Sequence, residues 1–274
     1  MSGPVRMTRR VTFSSGHRYW FEHLNESENR ALFGPWANRY NHGHNYILDL
    51  TVEGVIEPVT GMVVNIKRID DILRDRIVRV FDQKSINDEV PYFKEVAPSL
   101  ENLMSFIWQQ LSPTGVLPTE CTLVGMRLEE MPTLYGELEN KTMTLTRSYE
   151  FAASHRLDSP MLSADENVAL FGKCNNAAGH GHNYILEVTI EGDPEPRTGM
   201  IADLGVLDQA VNAEVVDRYD HKNLNEDLPE FAGRMTTSEI VAQEIFGRLE
   251  GKLPAKLNRI RLWETARNMF EVSK

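Results

Sequence analysis

The sequence has few cysteines and no long apolar run. Only Cys121 and Cys174 occur in 274 residues, too few for a disulfide framework, which favours a reducing compartment. No stretch of about 18 apolar residues is present, so we expect no membrane-spanning helix. The opening residues, MSGPVRMTRRVTF, lack the apolar segment of a secretory signal. These absences predict a cytoplasmic protein without a membrane segment.

Positive charge is also scarce. Lysine and arginine total 29 against 40 aspartate and glutamate residues, which gives a formal charge of -11. Proteins that bind nucleic acid carry a basic surface, so this class is not expected. A local basic cluster could still bind a small anionic substrate. Hydrophobic residues make up 41% of the chain, a value typical of globular proteins.

The chain repeats itself. Residues of one type recur at one constant offset: His17 with His155, His42 with His180, and Asp82 with Asp220. Internal similarity over so long a period indicates a tandem duplication. We place the boundary in the polar segment GELENKT, which gives an N-terminal unit of residues 1–139 and a C-terminal unit of residues 140–274.

Each unit is predicted to be α+β, with the order β-β-α-α-β-β. Alternation of apolar and polar residues in RRVTFSSGH and HGHNYILDLTVEG indicates strands. Helical spacing follows Asn65 and Asp203, both good N-cap residues. Thr236 with Glu239 three residues later predicts a capping box. Two further strand-like segments end each unit, so helices should cover one face of an antiparallel sheet.

The histidines point to metal binding. Six of the eight occupy duplicated positions: His17, His42, His44, His155, His180 and His182. Strand residues two apart share a face, so each HGH pair should point the same way. Three imidazoles without a fourth protein ligand are typical of a catalytic zinc site, although imidazole also suits copper, nickel or iron. The alternative, a separate polar role for each histidine, is disfavoured by the repetition of the trio.

Five segments carry a family resemblance. FAASHRL, FGKCNNAAGHGHNY, TGM, DHKNL and RLWET resemble, in this order, the 6-pyruvoyltetrahydropterin synthase family. The resemblance covers nearly all of the second unit and, more weakly, the first. The related 6-carboxytetrahydropterin synthases of queuosine biosynthesis share the fold and most of these residues. Five residues separate Cys174 from His180, a spacing that resembles the pyruvoyl branch.

The resemblance implies a tunnelling fold, in which three units pool antiparallel sheets into a barrel and two such rings stack. Three chains would supply six units, so we expect a homotrimer that imitates the family hexamer. The implied reaction converts 7,8-dihydroneopterin triphosphate to 6-pyruvoyltetrahydropterin and triphosphate, as in tetrahydrobiopterin biosynthesis. Two alternatives remain: formation of 6-carboxytetrahydropterin from the same substrate, and a non-catalytic scaffold that binds zinc or a pterin.

The resemblance also assigns roles to residues of the second unit. The zinc ligands are imidazoles: His155, His180 and His182. The proton-transfer groups are a thiol and an Asp–His pair: Cys174, Asp220 and His221. The pterin contacts are a carboxylate and two hydroxyls: Glu264, Thr236 and Thr237.

The first unit keeps the metal ligands without the proton-transfer groups. Its trio is His17, His42 and His44. Trp36 stands in the place of the cysteine and Gln83 in the place of the histidine, and neither side chain titrates near neutral pH. The threonine pair becomes Ser99–Leu100. We therefore expect the first unit to bind zinc without catalysis, and whether this zinc stabilises the fold or serves a bound pterin stays open, as does the ring arrangement of the two units.

Overall fold

The computed structural model describes residues 3–274, so the prediction about a secretory signal falls partly on residues outside the described part. The chain forms two compact units: the first runs to Leu145 and includes Glu191–Ile201, and the second comprises Thr146–Ile190 and Ala202–Lys274. The proposed boundary after residue 139 falls at a turn and stays a prediction. Among the described residues, no helix has the length and apolarity needed to cross a membrane.

Each unit contains a sheet that is antiparallel apart from one short strand. The strands of the first are β1 (Val5–His17), β2 (His42–Gly54), β3 (Lys84–Ser85), β4 (Cys121–Met131) and β5 (Leu134–Glu139), in the order β5-β4-β2-β1-β3. Those of the second are β6 (Thr142–His155), β7 (His180–Glu191), β8 (Lys222–Asn223), β9 (Lys256–Thr265) and β10 (Asn268–Ser273), in the order β10-β9-β7-β6. The strands β3 and β8 pair in parallel with β1 and β6. The prediction of purely antiparallel sheets is therefore wrong in this detail, because two-residue strands show no alternation.

The helices follow a matching order in the two units. The first unit has α1 (Glu26–Phe33), α2 (Ile66–Leu73), α3 (Arg79–Phe81), α4 (Ile86–Glu89) and α5 (Leu100–Leu111). The second has α6 (Ala164–Phe171), α7 (Leu204–Val211), α8 (Asp217–Tyr219) and α9 (Ser238–Leu249). π-Helical turns join α2 to α3 (Arg74–Val78) and α7 to α8 (Asn212–Val216). Short 3-10 turns occupy Gly34–Trp36, Pro91–Lys94, Gly172–Asn175 and Pro229–Phe231.

The helix α1 and its counterpart α6 were not predicted, although the sequence holds a signal for both. Asn25 and Glu28 form a reciprocal capping box before α1, and Ser163 and Glu166 form one before α6. A capping residue followed three positions later by glutamate is the sequence signature of a helix start. Both helices are only eight residues long, so neither shows a clear apolar period.

Two of the three predicted helix caps are confirmed. The side chain of Asn65 accepts a hydrogen bond from the backbone of Lys67, and Asp203 caps α7 in the same way. The capping box at Thr236 is wrong, because the N-cap of α9 is Thr237. The Thr236 hydroxyl instead donates to the carbonyl oxygen of Arg156 at 3.2 Å, which ties the end of β6 to the start of α9.

The core follows the alternation of the central strands. The inward side chains of β7 are fully buried: Tyr184, Leu186, Val188 and Ile190. Those of β2 are equally buried: Tyr46, Leu48, Leu50 and Val52. Burial of a large apolar side chain stabilises a fold by about 1.5–3 kcal/mol, so these rows fix which face of each strand points inward. Cys121, at the start of β4, is also buried.

Candidate functional site

The second unit brings three imidazoles together at the ends of two strands. His155 ends β6, and His180 and His182 begin β7. One nitrogen from each ring lies within 4.8 Å of the others, and the Nε2 atoms of His155 and His180 are 3.2 Å apart. The predicted convergence of this trio is confirmed, and its donor set is consistent with the family's zinc site.

The outer nitrogen of His155 is fixed by the backbone. Nδ1 lies 2.7 Å from the carbonyl oxygen of Thr236. A carbonyl oxygen can only accept, so Nδ1 carries the proton and the Nε2 lone pair faces the other two rings. Burial lowers the pKa of His155, and the neighbouring imidazoles add to this effect. The ring therefore stays neutral at physiological pH, the state in which imidazole binds a metal.

The first unit repeats this arrangement with His17, His42 and His44, whose ring nitrogens also lie within 4.8 Å of one another. His17 Nδ1 is 2.8 Å from the carbonyl oxygen of Pro98. Burial lowers the pKa of His17 to about 3 and that of His44 to about 4.

Buried nitrogen atoms without partners favour a metal in both trios. Within the described residues, three Nε2 atoms are buried without a hydrogen-bond partner: those of His17, His44 and His182. An unsatisfied buried nitrogen costs about 1–3 kcal/mol, and a cation at the centre of the trio would remove this cost. Both donor sets therefore fit zinc.

A carboxylate accompanies each trio. Oε1 of Glu264, on β9, lies 3.7 Å from His155 Nε2 and 3.8 Å from His182 Nε2. Ser238 donates a hydrogen bond of 2.7 Å to the same oxygen. Burial alone would raise the pKa of Glu264, but the Ser238 bond and His182 outweigh it and lower the pKa. In the first unit, Glu130 is 3.5 Å from His44 Nε2.

Ser238 was missed by the sequence reasoning. It is the first residue of α9 and only 3% exposed. Its neighbour Thr237 was singled out in its place, because a threonine pair belongs to the family pattern. A signal was available, since Ser238 stands directly after that pair and a short hydroxyl side chain in a first helical turn can reach a nearby carboxylate.

The Asp–His pair forms as predicted. Asp220 Oδ2 is 2.7 Å from His221 Nδ1, and Asp220 Oδ1 accepts from the backbone of Ala152 at 2.7 Å. The Ala152 bond and, after it, the His221 bond lower the pKa of Asp220. His221 adopts a left-handed backbone with φ of 58°, which turns its ring outward, where it is 85% exposed.

The ring of His221 shares a cleft with one imidazole of the trio. A cavity of about 530 Å³ is lined by Ala152, Ala153, Ser154, Gly181, His182, Asn183, His221, Lys222 and Asn223. A matching cavity of about 380 Å³ in the first unit contains His44 and, in place of the exposed histidine, Gln83. Gln83 has nearly the same backbone, with φ of 59°, so the conformation persists without the titratable ring.

Cys174 lies apart from this pair in the bonding pattern. It is half-buried in the 3-10 turn Gly172–Asn175, and its carbonyl oxygen accepts from Leu157 at 2.9 Å. Among the described residues, no hydrogen bond joins Cys174 to Asp220 or His221. The structure brings Asp220 and His221 together, and the predicted base is not hydrogen-bonded to either in the described part of the chain.

The two predicted threonines differ in environment. Thr236 is fully buried, and its hydroxyl and carbonyl groups both bond within the unit. Thr237 is half-buried. Since Thr236 and Pro98 hold equivalent histidines, the threonine pair corresponds to Pro98–Ser99 rather than to Ser99–Leu100. Contact of either threonine with a substrate stays a prediction.

Comparison with known proteins identifies the family. The family model described as 6-pyruvoyl tetrahydropterin synthase matches residues 6–141 and again residues 144–274. The chain is 44% identical over 126 residues to the human 6-pyruvoyl tetrahydrobiopterin synthase, which covers 46% of this chain and 87% of that protein. A Drosophila melanogaster synthase of the same name is 44% identical over 128 residues, or 46% of this chain and 76% of the relative.

More distant relatives were also found. The 6-carboxy-5,6,7,8-tetrahydropterin synthase of Haemophilus influenzae is 27% identical over 147 residues, covering 46% of this chain and 96% of that protein. The solved structure of Caenorhabditis elegans 6-pyruvoyl tetrahydropterin synthase is 38% identical, with a TM-score of 0.47. The match covers 48% of this chain and 96% of the Caenorhabditis elegans chain. The two family matches together span nearly the whole chain, which confirms the predicted tandem duplication: the chain is a lyase of the 6-pyruvoyl tetrahydropterin synthase family that carries two family domains in tandem.

Proposed function

We propose that the second unit converts 7,8-dihydroneopterin triphosphate to 6-pyruvoyltetrahydropterin and triphosphate. The observation that supports this most is the convergence of His155, His180 and His182 beside Glu264. A metal-binding trio next to a carboxylate can hold the two ends of a polar bicyclic substrate.

The carboxylate of Glu264 binds the pterin ring. Its two oxygens accept hydrogen bonds from the adjacent ring N–H and amino donors of the pterin, a bidentate arrangement that fixes orientation. Ser238 holds one oxygen at 2.7 Å and Asn268 reaches the other at 3.4 Å. Because the pKa of Glu264 is lowered, the group is ionised at neutral pH.

The histidine trio places the substrate side chain. Zinc at His155, His180 and His182 would supply a Lewis acid that stabilises negative charge developing on the side-chain oxygens. The Thr236 carbonyl holds the ring of His155 at 2.7 Å, and such outer bonds orient ligands and tune their basicity.

Proton transfer falls to Cys174 and to the Asp220–His221 pair. The Cys174 thiolate removes a proton from the substrate side chain, and the imidazole of His221 relays protons. Asp220 orients the imidazole through the 2.7 Å bond to Nδ1. His221 and His182 line the same cleft.

The first unit binds zinc but does not catalyse this reaction. Its imidazoles converge, but Trp36 and Gln83 occupy the positions of the thiol and of the exposed imidazole. Its zinc either stabilises the fold or supports a bound pterin. We place the enzyme in the cytoplasm as a homotrimer of six units, with the sheets pooled into the family barrel.

The product distinguishes the candidate functions. Purified protein is incubated with zinc and 7,8-dihydroneopterin triphosphate, and the products are identified by mass. Triphosphate with a pyruvoyl pterin supports the proposal, whereas acetaldehyde with a carboxy pterin supports the 6-carboxytetrahydropterin synthase reaction. The identity of 44% to the pyruvoyl enzymes against 27% to the carboxy enzyme favours the former. Tight pterin binding without turnover would leave only a scaffold role.

A further inference from the structure

The carboxylates beside the two trios have different neighbours. In the second unit, Glu264 accepts a hydrogen bond from Ser238 at 2.7 Å through one oxygen and from Asn268 at 3.4 Å through the other. The two donors belong to the first residue of α9 and the first residue of β10. Their bonds compete with a metal ion for the carboxylate oxygens, so they favour a Glu264 that stays outside the metal site.

Leucines replace both donors in the first unit. Leu100 is the first residue of α5, where Ser238 is the first residue of α9. Leu134 begins β5 as Asn268 begins β10. Both leucines are buried, and the side chain of Glu130 is 8% exposed against 17% for its counterpart. A carboxylate with so little access to water is stabilised by a nearby cation.

Glu130 also lies at a suitable distance from the trio of the first unit. Its Oε1 is 3.5 Å from Nε2 of His44. Two ligand atoms of one tetrahedral zinc ion lie about 3.3 Å apart, so these two atoms can share an ion with little movement. Glu264 is 3.7 and 3.8 Å from two imidazoles of its own trio, and the same oxygen already accepts the bond from Ser238.

We propose that Glu130 is the fourth ligand of a closed zinc site formed with the trio of the first unit, whose metal is therefore structural. The inference rests on the proposed function in taking both trios as zinc sites. Structural zinc sites have four protein ligands, whereas catalytic sites keep one position open. The second unit keeps its open position, because hydrogen bonds hold Glu264. A carboxylate that binds zinc is not available to a pterin, so the first unit binds none.

Cobalt(II) tests whether the first site is closed. His180→Ala disables the second trio and His42→Ala disables the first, so each variant presents one intact site. Both metal-free proteins are loaded with one equivalent of cobalt, whose visible spectrum depends on its ligands, and are then titrated with azide. We expect azide to change the spectrum of the His42→Ala protein and to leave that of the His180→Ala protein unchanged, because only the second site has room for a further ligand.

A substitution of the carboxylate tests its role directly. Glu130→Gln, made together with His180→Ala, removes the anionic ligand with little change in shape. Zinc should then pass to a chelating dye faster by roughly tenfold or more, because one of four ligands is lost, and the cobalt spectrum should now respond to azide. The matched control is Glu264→Gln together with His42→Ala, which should release zinc at the rate of His42→Ala alone. Circular dichroism checks that each protein is folded.

Three outcomes would overturn the proposal. They are an azide response of the intact first site, zinc release that Glu130→Gln does not accelerate, and purified His180→Ala protein that holds no zinc. None of these readouts uses the substrate. Wild-type protein with a closed first site that makes no product contradicts the proposed function alone, and turnover by a protein whose first site responds to azide contradicts the role of Glu130 alone.

Discussion

The two units hold the same imidazole trio on the same strand ends but differ in what surrounds it. In the second unit, His221 stands in a cleft with one metal ligand, and in the first, Gln83 keeps the backbone conformation without the ring. The convergence of the trio therefore does not depend on which residue stands at the position of His221. Both trios lie at the ends of paired strands, and their ring nitrogens converge in both units.

The largest expected difference between the two units is the effect of removing the side chain at Cys174 or at Trp36. Cys174→Ala should lower turnover by about 10²–10⁴-fold, the usual contribution of a positioned acid or base, and should leave two zinc ions per chain. Trp36→Ala, the same truncation at the matching position, should leave turnover near that of wild type. Product formation by mass spectrometry and metal content by elemental analysis measure both. Loss of metal from Cys174→Ala would mean that this residue serves the metal site instead.

Removal of one imidazole from either trio should lower the metal content of the chain. His180→Ala and His42→Ala should each remove one zinc of two, because a trio reduced to two imidazoles loses a necessary ligand. Turnover should disappear only in His180→Ala. Elemental analysis of the wild type is the reference, and one zinc per chain there would contradict the expectation that both trios are filled.

The pH dependence of stability should distinguish the units. Burial raises the pKa of Glu101 to about 7, above its usual value. Between the usual value and about 7, the folded chain binds more protons than the unfolded chain, so the free energy of unfolding should fall as pH rises and then level off. Glu101 accepts a hydrogen bond from the backbone N–H of Ile201, and glutamine would keep an oxygen that can accept it. Glu101→Gln should remove this decline, so the free energy of unfolding above pH 7 should rise by about 3 kcal/mol.

The matched control is Glu239→Gln. Glu239 is exposed, so its replacement should leave the pH profile of stability unchanged. Urea unfolding of the metal-free proteins between pH 4 and pH 8 gives the measurement. If the free energy of unfolding of Glu101→Gln changes with pH in the same way as that of the wild type, Glu101 is ionised in the folded chain.

The smallest effect concerns the helices α1 and α6. Asn25→Ala and Ser163→Ala each remove one capping box and should lower the free energy of unfolding by about 1 kcal/mol. Similar losses are expected, because the two boxes use the same bonds. Urea denaturation of each variant tests this, and a loss in only one would show that the two units do not unfold together.

The sequence predicted those features that depend on local periodicity. Alternation along the strand predicted that His180 and His182 share a face, and in β7 they lie in phase with the buried Tyr184. The cap at Thr236 failed because its hydroxyl bonds to Arg156, a residue distant in the chain. Such a choice between a local and a long-range partner cannot be read from spacing.

Only some residues of the candidate site were predicted from the sequence. The trio follows from repetition, whereas the Asp220–His221 pair was assigned from the family resemblance. Ser238 was missed because its contact with Glu264 joins a helix start to a strand. The position of Cys174 relative to His221 depends on how the 3-10 turn Gly172–Asn175 folds, and a Gly/Asn-rich segment contains no period that would fix it.

The π-helical turns occur in both repeats and therefore bear on the origin of the duplication. Arg74–Val78 and Asn212–Val216 interrupt the long helix at the same place in both repeats, and such turns are rare outside functional regions. Their shared position dates this irregularity to a single-domain ancestor, before the gene doubled. The ancestor thus already had the helix whose C-cap is the present Asp82 or Asp220.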